Sequence, residues 1–290
     1  MYLKRKLKLL AVMTGVVVFA VVTLFAFTGA TTKPDNEDKI FLPIIMYHSL
    51  LDDVKLQNDY IISPSIFEND LKYLKEKGYT TITVSELEEY VYCDKPLPDK
   101  CIMLTFDDGY YNNYYYAYPL LKKYGAKIVF SPIVSMIEKF TDEKEISLYY
   151  GYTDINEIKE MIKSGLVEVQ NHSYNMHSLM PRKGIGMNKG ETDESYISVI
   201  SDDILKAQNY LEKNLGVSPN CFVYPYGEKN KLALTIIKKL GFISTMTCTE
   251  KPNFITKNPD SLYELGRYRR DSGESIEKLM QRIIKDGNLK

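Results

Sequence analysis

Short apolar runs alternate along this chain with longer segments of helical period, and no other feature narrows its fold as much. Eight runs read as strands: LPIIMY (42–47), TTITV (80–84), CIMLTF (101–106), AKIVFS (126–131), LVEVQ (166–170), CFVYP (221–225), FISTMT (242–247) and LYELGR (262–267). Between them lie SPSIFENDLKYLKEKGY, DINEIKEMIKSG, SYISVISDDILKAQNYLEKNLG and KLALTIIKKLG, which stop at Gly78, Gly165, Gly216 and Gly241. Each pairs helical apolar spacing with glycine, the residue that ends a helix in a left-handed turn. Strand–helix alternation implies βαβ units and a largely parallel sheet. Runs that are apolar on both faces imply helices on both sides. The expectation is an α/β fold, a distorted (β/α) barrel of about seven parallel strands.

The N-terminus is different in kind. Residues 9–30, LLAVMTGVVVFAVVTLFAFTGA, carry no charge and follow Lys4, Arg5, Lys6 and Lys8. A bilayer needs roughly 20 apolar residues, whereas a signal peptide usually has an apolar region of about 7 to 15. We therefore expect an N-terminal transmembrane helix within residues 1–30, then a polar linker (31–39) and one domain (40–290). The basic flank keeps the N-terminus in the cytoplasm and sends the domain outside the cell membrane. A cleaved signal with small residues near Thr28–Ala30, giving a secreted domain, is the alternative. The net charge of −1 argues against a nucleic-acid partner. Cys93, Cys101, Cys221 and Cys248 lack the paired spacing of a zinc site. A Cys93–Cys101 bridge and buried free thiols both remain open.

The unusual polar residues sit at the carboxyl ends of the expected strands. LPIIMY runs into His48, CIMLTF into Asp107 and Asp108, LVEVQ towards His172 and His177, CFVYP into Tyr226 and Gly227, and LYELG into Arg267. All three histidines of the chain are among them. In α/β barrels the active site is built on that face. His172 and His177 are five positions apart, so a continuous helix would separate them by roughly 140°. A turn between them is needed for both to face one point. Two imidazoles and one carboxylate form a common open site for a catalytic divalent metal. Asp108 is the natural third ligand. Asp107 is then free to take a proton from water beside the metal. Zn²⁺ fits this donor set best, with Co²⁺ or Ni²⁺ as alternatives.

Taken together, these motifs resemble the polysaccharide deacetylase family (carbohydrate esterase family 4, the NodB-homology domain). TFDDG matches the family's first motif. HSYNMH resembles the second, usually H-[ST]-x-x-H, with one residue more. VYPYG resembles the third, usually R-x-P-Y. MYHSL and YELGRYRRD resemble segments of the subgroup acting on poly-N-acetylglucosamine or related wall glycans. The likeness spans roughly residues 40–280. It implies Asp107 as general base and Asp108, His172 and His177 as metal ligands. It implies an oxyanion site at Tyr226, flanked by Pro225 and Gly227, and His48 as general acid from an N-terminal position. Arg267 would pair with the base.

The chain departs from the family pattern where Val223 replaces the arginine of the third motif. Arg267, or else Arg269 or Arg270, would have to orient Asp107. The chain has no Trp, so an aromatic wall for sugar must come from Tyr or Phe. YYNNYYYAY (110–118) is a candidate for that wall, and equally for ordinary helix packing. The implied activity is metal-dependent N-deacetylation of an N-acetylglucosamine-containing glycan, either peptidoglycan or poly-N-acetylglucosamine, with release of acetate. The alternative is a non-catalytic glycan-binding wall protein that keeps the fold.

Overall fold

The structure is a computed structural model that describes residues 39–143 and 146–288. The expected membrane span lies outside the described residues. Among those described, no helix is long and apolar enough to cross a membrane.

Seven strands pair in parallel around a ring. They are β1 (Ile44–Tyr47), β2 (Cys101–Asp108), β3 (Ile128–Pro132), β4 (Val167–Val169), β5 (Cys221–Val223), β6 (Ser244–Met246) and β7 (Tyr268–Arg269). β7, β1, β2, β3 and β4 follow one another in a continuous ladder, and β5 pairs with β6. Two single bridges join these pieces, Asn171 with Phe222 and Met246 with Leu265. The seams at β4–β5 and β6–β7 make the ring irregular, consistent with the distorted barrel expected.

The alternation of side chains along β2 builds two cores. Ile102, Leu104 and Phe106 face outwards and meet Phe67, Leu71 and Leu74 of α1 (Pro64–Glu76). Cys101 and Met103 face inwards with Ile44, Val129, Val223, Met246 and Leu265. A strand sends successive side chains to opposite faces, so Asp107 shares the inward face of Met103. α2 (Val84–Cys93) adds Val84, Leu87 and Val91 to the same interior cluster. The remaining helices are α3 (Tyr118–Tyr124), α4 (Val134–Glu143), α5 (Ile155–Lys163), α6 (Asp193–Leu215), α7 (Lys231–Lys239) and α8 (Ile276–Asp286).

Local signals account for most of these elements. The Ser63 hydroxyl accepts from the Ile66 N–H at the start of α1, and Asp154 and Glu157 form a capping box at α5. Gly216, at φ 68°, ends α6. Two expected strands are corrected. TTITV pairs with the foot of β2 only through Thr80–Thr81, because Thr83 and Glu86 form a capping box that starts α2. LYELGR is not a continuous strand: a 3₁₀ turn covers Pro259–Leu262, Glu264 is left-handed at φ 56°, Leu265 alone bridges β6, and β7 starts at Tyr268. All four cysteines are free thiols, so the Cys93–Cys101 bridge is not formed.

Candidate active site

The site grows from the end of β2. Asp107 points inwards and is 1 % exposed. A carboxylate so placed needs a partner. Arg267, fully buried just ahead of β7, donates from Nη1 and Nη2 to Asp107 Oδ1 and Oδ2 at 2.6 and 2.8 Å. Its Nε donates to the Thr247 carbonyl at 3.0 Å, and Nη1 also reaches Thr105 Oγ1 at 3.2 Å. Burial opposes ionisation of Asp107, but the Arg267 charge and hydrogen bonds outweigh it and hold the carboxyl below its usual range. Arg269 pairs with Asp59 and Arg270 with Asp70, so of the three arginines Arg267 is the one that meets Asp107.

Asp108 leaves the strand geometry. Its φ is 69° and that of Gly109 is 89°. A Cβ at position 109 would stand 2.5 Å from Pro132 Cβ, so the turn requires glycine there. The reversal lets adjacent carboxylates serve different neighbours. Asp108 Oδ1 lies 3.6 Å from His172 Nε2 and 3.1 Å from His177 Nε2.

His172 follows Asn171, whose N–H and carbonyl pair with Cys221 and Val223 of β5. His172 Nδ1 donates to the Val223 carbonyl at 2.7 Å, which leaves the Nε2 lone pair free. The chain then turns sharply. Ser173 is left-handed at φ 71°, its N–H donates to Asn171 Oδ1, and its Oγ accepts from the Met176 N–H. This turn takes up the extra residue of HSYNMH and returns His177 to the same point.

Asp108, His172 and His177 each offer one ligand atom, all within 4.8 Å of one another. Asp108 Oδ1 is buried and makes no aligned hydrogen bond although two imidazole nitrogens face it. An orphaned carboxylate oxygen between two lone-pair donors fits a divalent cation.

His48 lies between β1 and the short strand Ser49–Leu50. Its Nδ1 is buried without a hydrogen-bond partner among the described residues. Burial pushes the imidazole down against the opposing pull of Asp108 and Asp107. The Tyr226 ring packs on His177 at 4.4 Å between centroids. Pro225 starts that turn, Tyr226 is left-handed at φ 56°, and Gly227, at φ 68°, is pressed against Cys248.

Of the site's neighbours, Tyr110 heads the tyrosine run named from the sequence, while Tyr152 and Cys248 were not marked by it. Tyr110 and Tyr152 stack at 5.1 Å beside Asp108, whose charge, after burial, raises both hydroxyls above their usual range. Tyr110 directly follows TFDDG, and that adjacency was the available signal. Most of the tyrosine run packs elsewhere: Tyr114 donates to Glu160 and Tyr118 is buried. Cys248 Sγ lies 3.7 Å from Arg267 Nη2, a contact that no motif announces.

A parallel α/β ring with an Asp-His-His cluster and an arginine-held carboxylate at its carboxyl face is the setting in which the comparisons fall. The family model for polysaccharide deacetylase matches residues 94–244. The chain belongs to the polysaccharide deacetylase family. It is 28 % identical over 264 residues to the poly-beta-1,6-N-acetyl-D-glucosamine N-deacetylase of Escherichia coli K12, covering 83 % of this chain and 38 % of that protein. The Staphylococcus aureus MRSA252 protein of the same description is 32 % identical over 209 residues, covering 71 % of this chain and 66 % of its own. Among solved structures, a de-N-acetylase from Aggregatibacter actinomycetemcomitans superposes with a TM-score of 0.73 at 23 % identity, over 83 % of this chain and 99 % of that one, a likeness of fold.

Proposed function

We propose that the chain is a metal-dependent N-deacetylase of N-acetylglucosamine polymers, with poly-N-acetylglucosamine ahead of peptidoglycan. The observation that carries this reading is the division of labour between Asp107 and Asp108. One carboxylate is held ionised by Arg267, and its neighbour faces two imidazoles with an unsatisfied oxygen. The names of the Escherichia coli and Staphylococcus aureus relatives support the choice of glycan.

Asp108, His172 and His177 would hold the cation, with Zn²⁺ ahead of Co²⁺ and Ni²⁺ by donor chemistry. When bound, such a metal supplies Lewis-acid polarisation of the acetamide carbonyl and acidifies water. Asp107 keeps lone pairs beyond those given to Arg267 and takes the proton of the attacking water. The Tyr226 backbone N–H, in the Pro225–Gly227 turn, faces the developing oxyanion. His48 protonates the departing amine, so acetate and a free glucosamine amine leave.

Incubation with purified poly-N-acetylglucosamine and with peptidoglycan, measuring acetate from each, tests the reading. Release from neither defeats it. We also place the domain outside the cell, tethered by residues 9–30. Protease added to intact cells should remove the domain, and full protection would contradict that topology.

A further inference from the structure

We propose that Tyr60 is the platform on which the sugar bearing the reacting acetamide rests, braced by Arg269 and Asp59. The inference rests on the deacetylase reading and names a residue that no motif contains. In that reaction the acetamide carbonyl faces the Asp108–His172–His177 cluster and its nitrogen faces the proton donor. The sugar carrying that nitrogen therefore lies on the His48 side. Tyr60 is the aromatic ring found there. Its centroid is 5.0 Å from that of His48, at an interplanar angle of 80°.

Three features mark this ring as built for contact. It is 51 % exposed although it packs against the half-buried His48 imidazole. Its backbone is fixed: the Tyr60 N–H donates to Asn58 Oδ1 at 2.8 Å, and its carbonyl accepts from the Ser49 N–H, one residue past His48, at 3.1 Å. One face of the ring is also backed by an arginine. The Arg269 guanidinium carbon stands 5.2 Å from the ring centroid, and Nη2 pairs with Asp59 Oδ2 at 2.9 Å. Arg269 is two residues beyond Arg267, so one short segment steadies both the Asp107 carboxylate and the Tyr60 ring. A rigid, half-open aromatic ring backed by a guanidinium suits the mixed C–H and hydroxyl surface of a pyranose.

The test compares acetate release from a β-1,6-linked N-acetylglucosamine pentasaccharide with hydrolysis of 4-methylumbelliferyl acetate, which has no sugar. Tyr60→Ala should lower kcat/KM on the pentasaccharide about tenfold, mainly through KM, the size expected when an aromatic contact is lost. Its loss on the aryl ester should be several-fold smaller. Tyr60→Phe should restore most of the pentasaccharide rate, and Arg269→Gln should fall between Phe and Ala. An unchanged KM in Tyr60→Ala overturns the inference. So does equal loss on both substrates without rescue by Phe, because that pattern marks a merely structural ring. A wild-type chain that releases acetate from no N-acetylglucosamine oligomer fails differently: it removes the deacetylase reading and this inference with it.

Discussion

Arg267 reaches Asp107 across an intervening strand: β1 lies between β7 and β2, and the two residues are 160 positions apart in sequence. Both are almost wholly withdrawn from water. Removing one partner of such a pair strands a buried charge, which costs about 3–5 kcal/mol. Arg267→Met should therefore lower the free energy of unfolding by about that much at neutral pH. Arg267→Met combined with Asp107→Asn should recover a large part of it, since the charge itself is then gone. Urea denaturation of the two variants checks this. Additive losses would show that Arg267 stabilises the barrel independently of Asp107.

The ligand cluster makes a separate expectation. His172→Ala and His177→Ala should each weaken binding of added Zn²⁺ by about 10- to 100-fold or more, an order taken from the loss of supporting groups around metals. Calorimetric titration with Zn²⁺ measures this without any substrate. Wild-type affinity in both variants would exclude these residues as ligands.

Asp107 and His48 should behave in the opposite way. Asp107→Asn and His48→Ala should load Zn²⁺ nearly as the wild type does and lose about 10²- to 10⁴-fold in acetate release, the usual range for a general base or acid. The Asp107 carboxyl is held low by Arg267, so it is ionised throughout the neutral range. A variant with full activity would leave that step without its assigned group.

Stability should fall as pH rises because of a group far from the chemistry. Glu88 on α2 is buried, and burial together with the Glu168 charge raises its carboxyl to about 7 from its ordinary 4.5, while Asn220 Nδ2 donates to it. The folded chain thus holds a proton that the unfolded chain releases above about pH 4.5. The contribution is complete below that pH and is lost as pH climbs through 7. The slope is at most about 1.4 kcal/mol per pH unit for one group. Glu157, also raised to about 7, acts in the same direction. Glu88→Gln should flatten part of the decline in urea midpoint between pH 5 and pH 8, and an unchanged slope would assign the proton elsewhere.

Much of the site was legible because its residues stand where strands end, and strand ends are marked by a change from apolar to polar that local sequence records. Asp107, Asp108, His172 and His48 all follow that rule. Helix α1 announced itself through Ser63 and Pro64, and α6 through Gly216. What escaped depends on competition or distance. TTITV is β-branched and reads as a strand, yet the reciprocal bonds of Thr83 and Glu86 start a helix within it. Glu264 breaks LYELGR with a left-handed residue that propensity disfavours. Asp70 and Arg270 form a second buried pair, with the Tyr47 hydroxyl also on Asp70, across 200 positions. Nothing local marks such a pairing.

The filled interior of the ring sets the traffic at this site. Cys101, Met103, Val223, Met246 and Leu265 occupy the middle of the barrel with almost no accessible surface, and α2 packs into the same cluster. Among the described residues, this packing fills the middle of the barrel. Water on its way in, acetate on its way out and the polymer all meet, under the proposed reaction, on the Asp107 side of that packing. Under the proposed reaction, a glycan that stays seated obstructs the exit of its own acetate. Turnover along a chain then requires the polymer to lift or shift between successive sugars, so the spacing of freed amines would record how often it lets go.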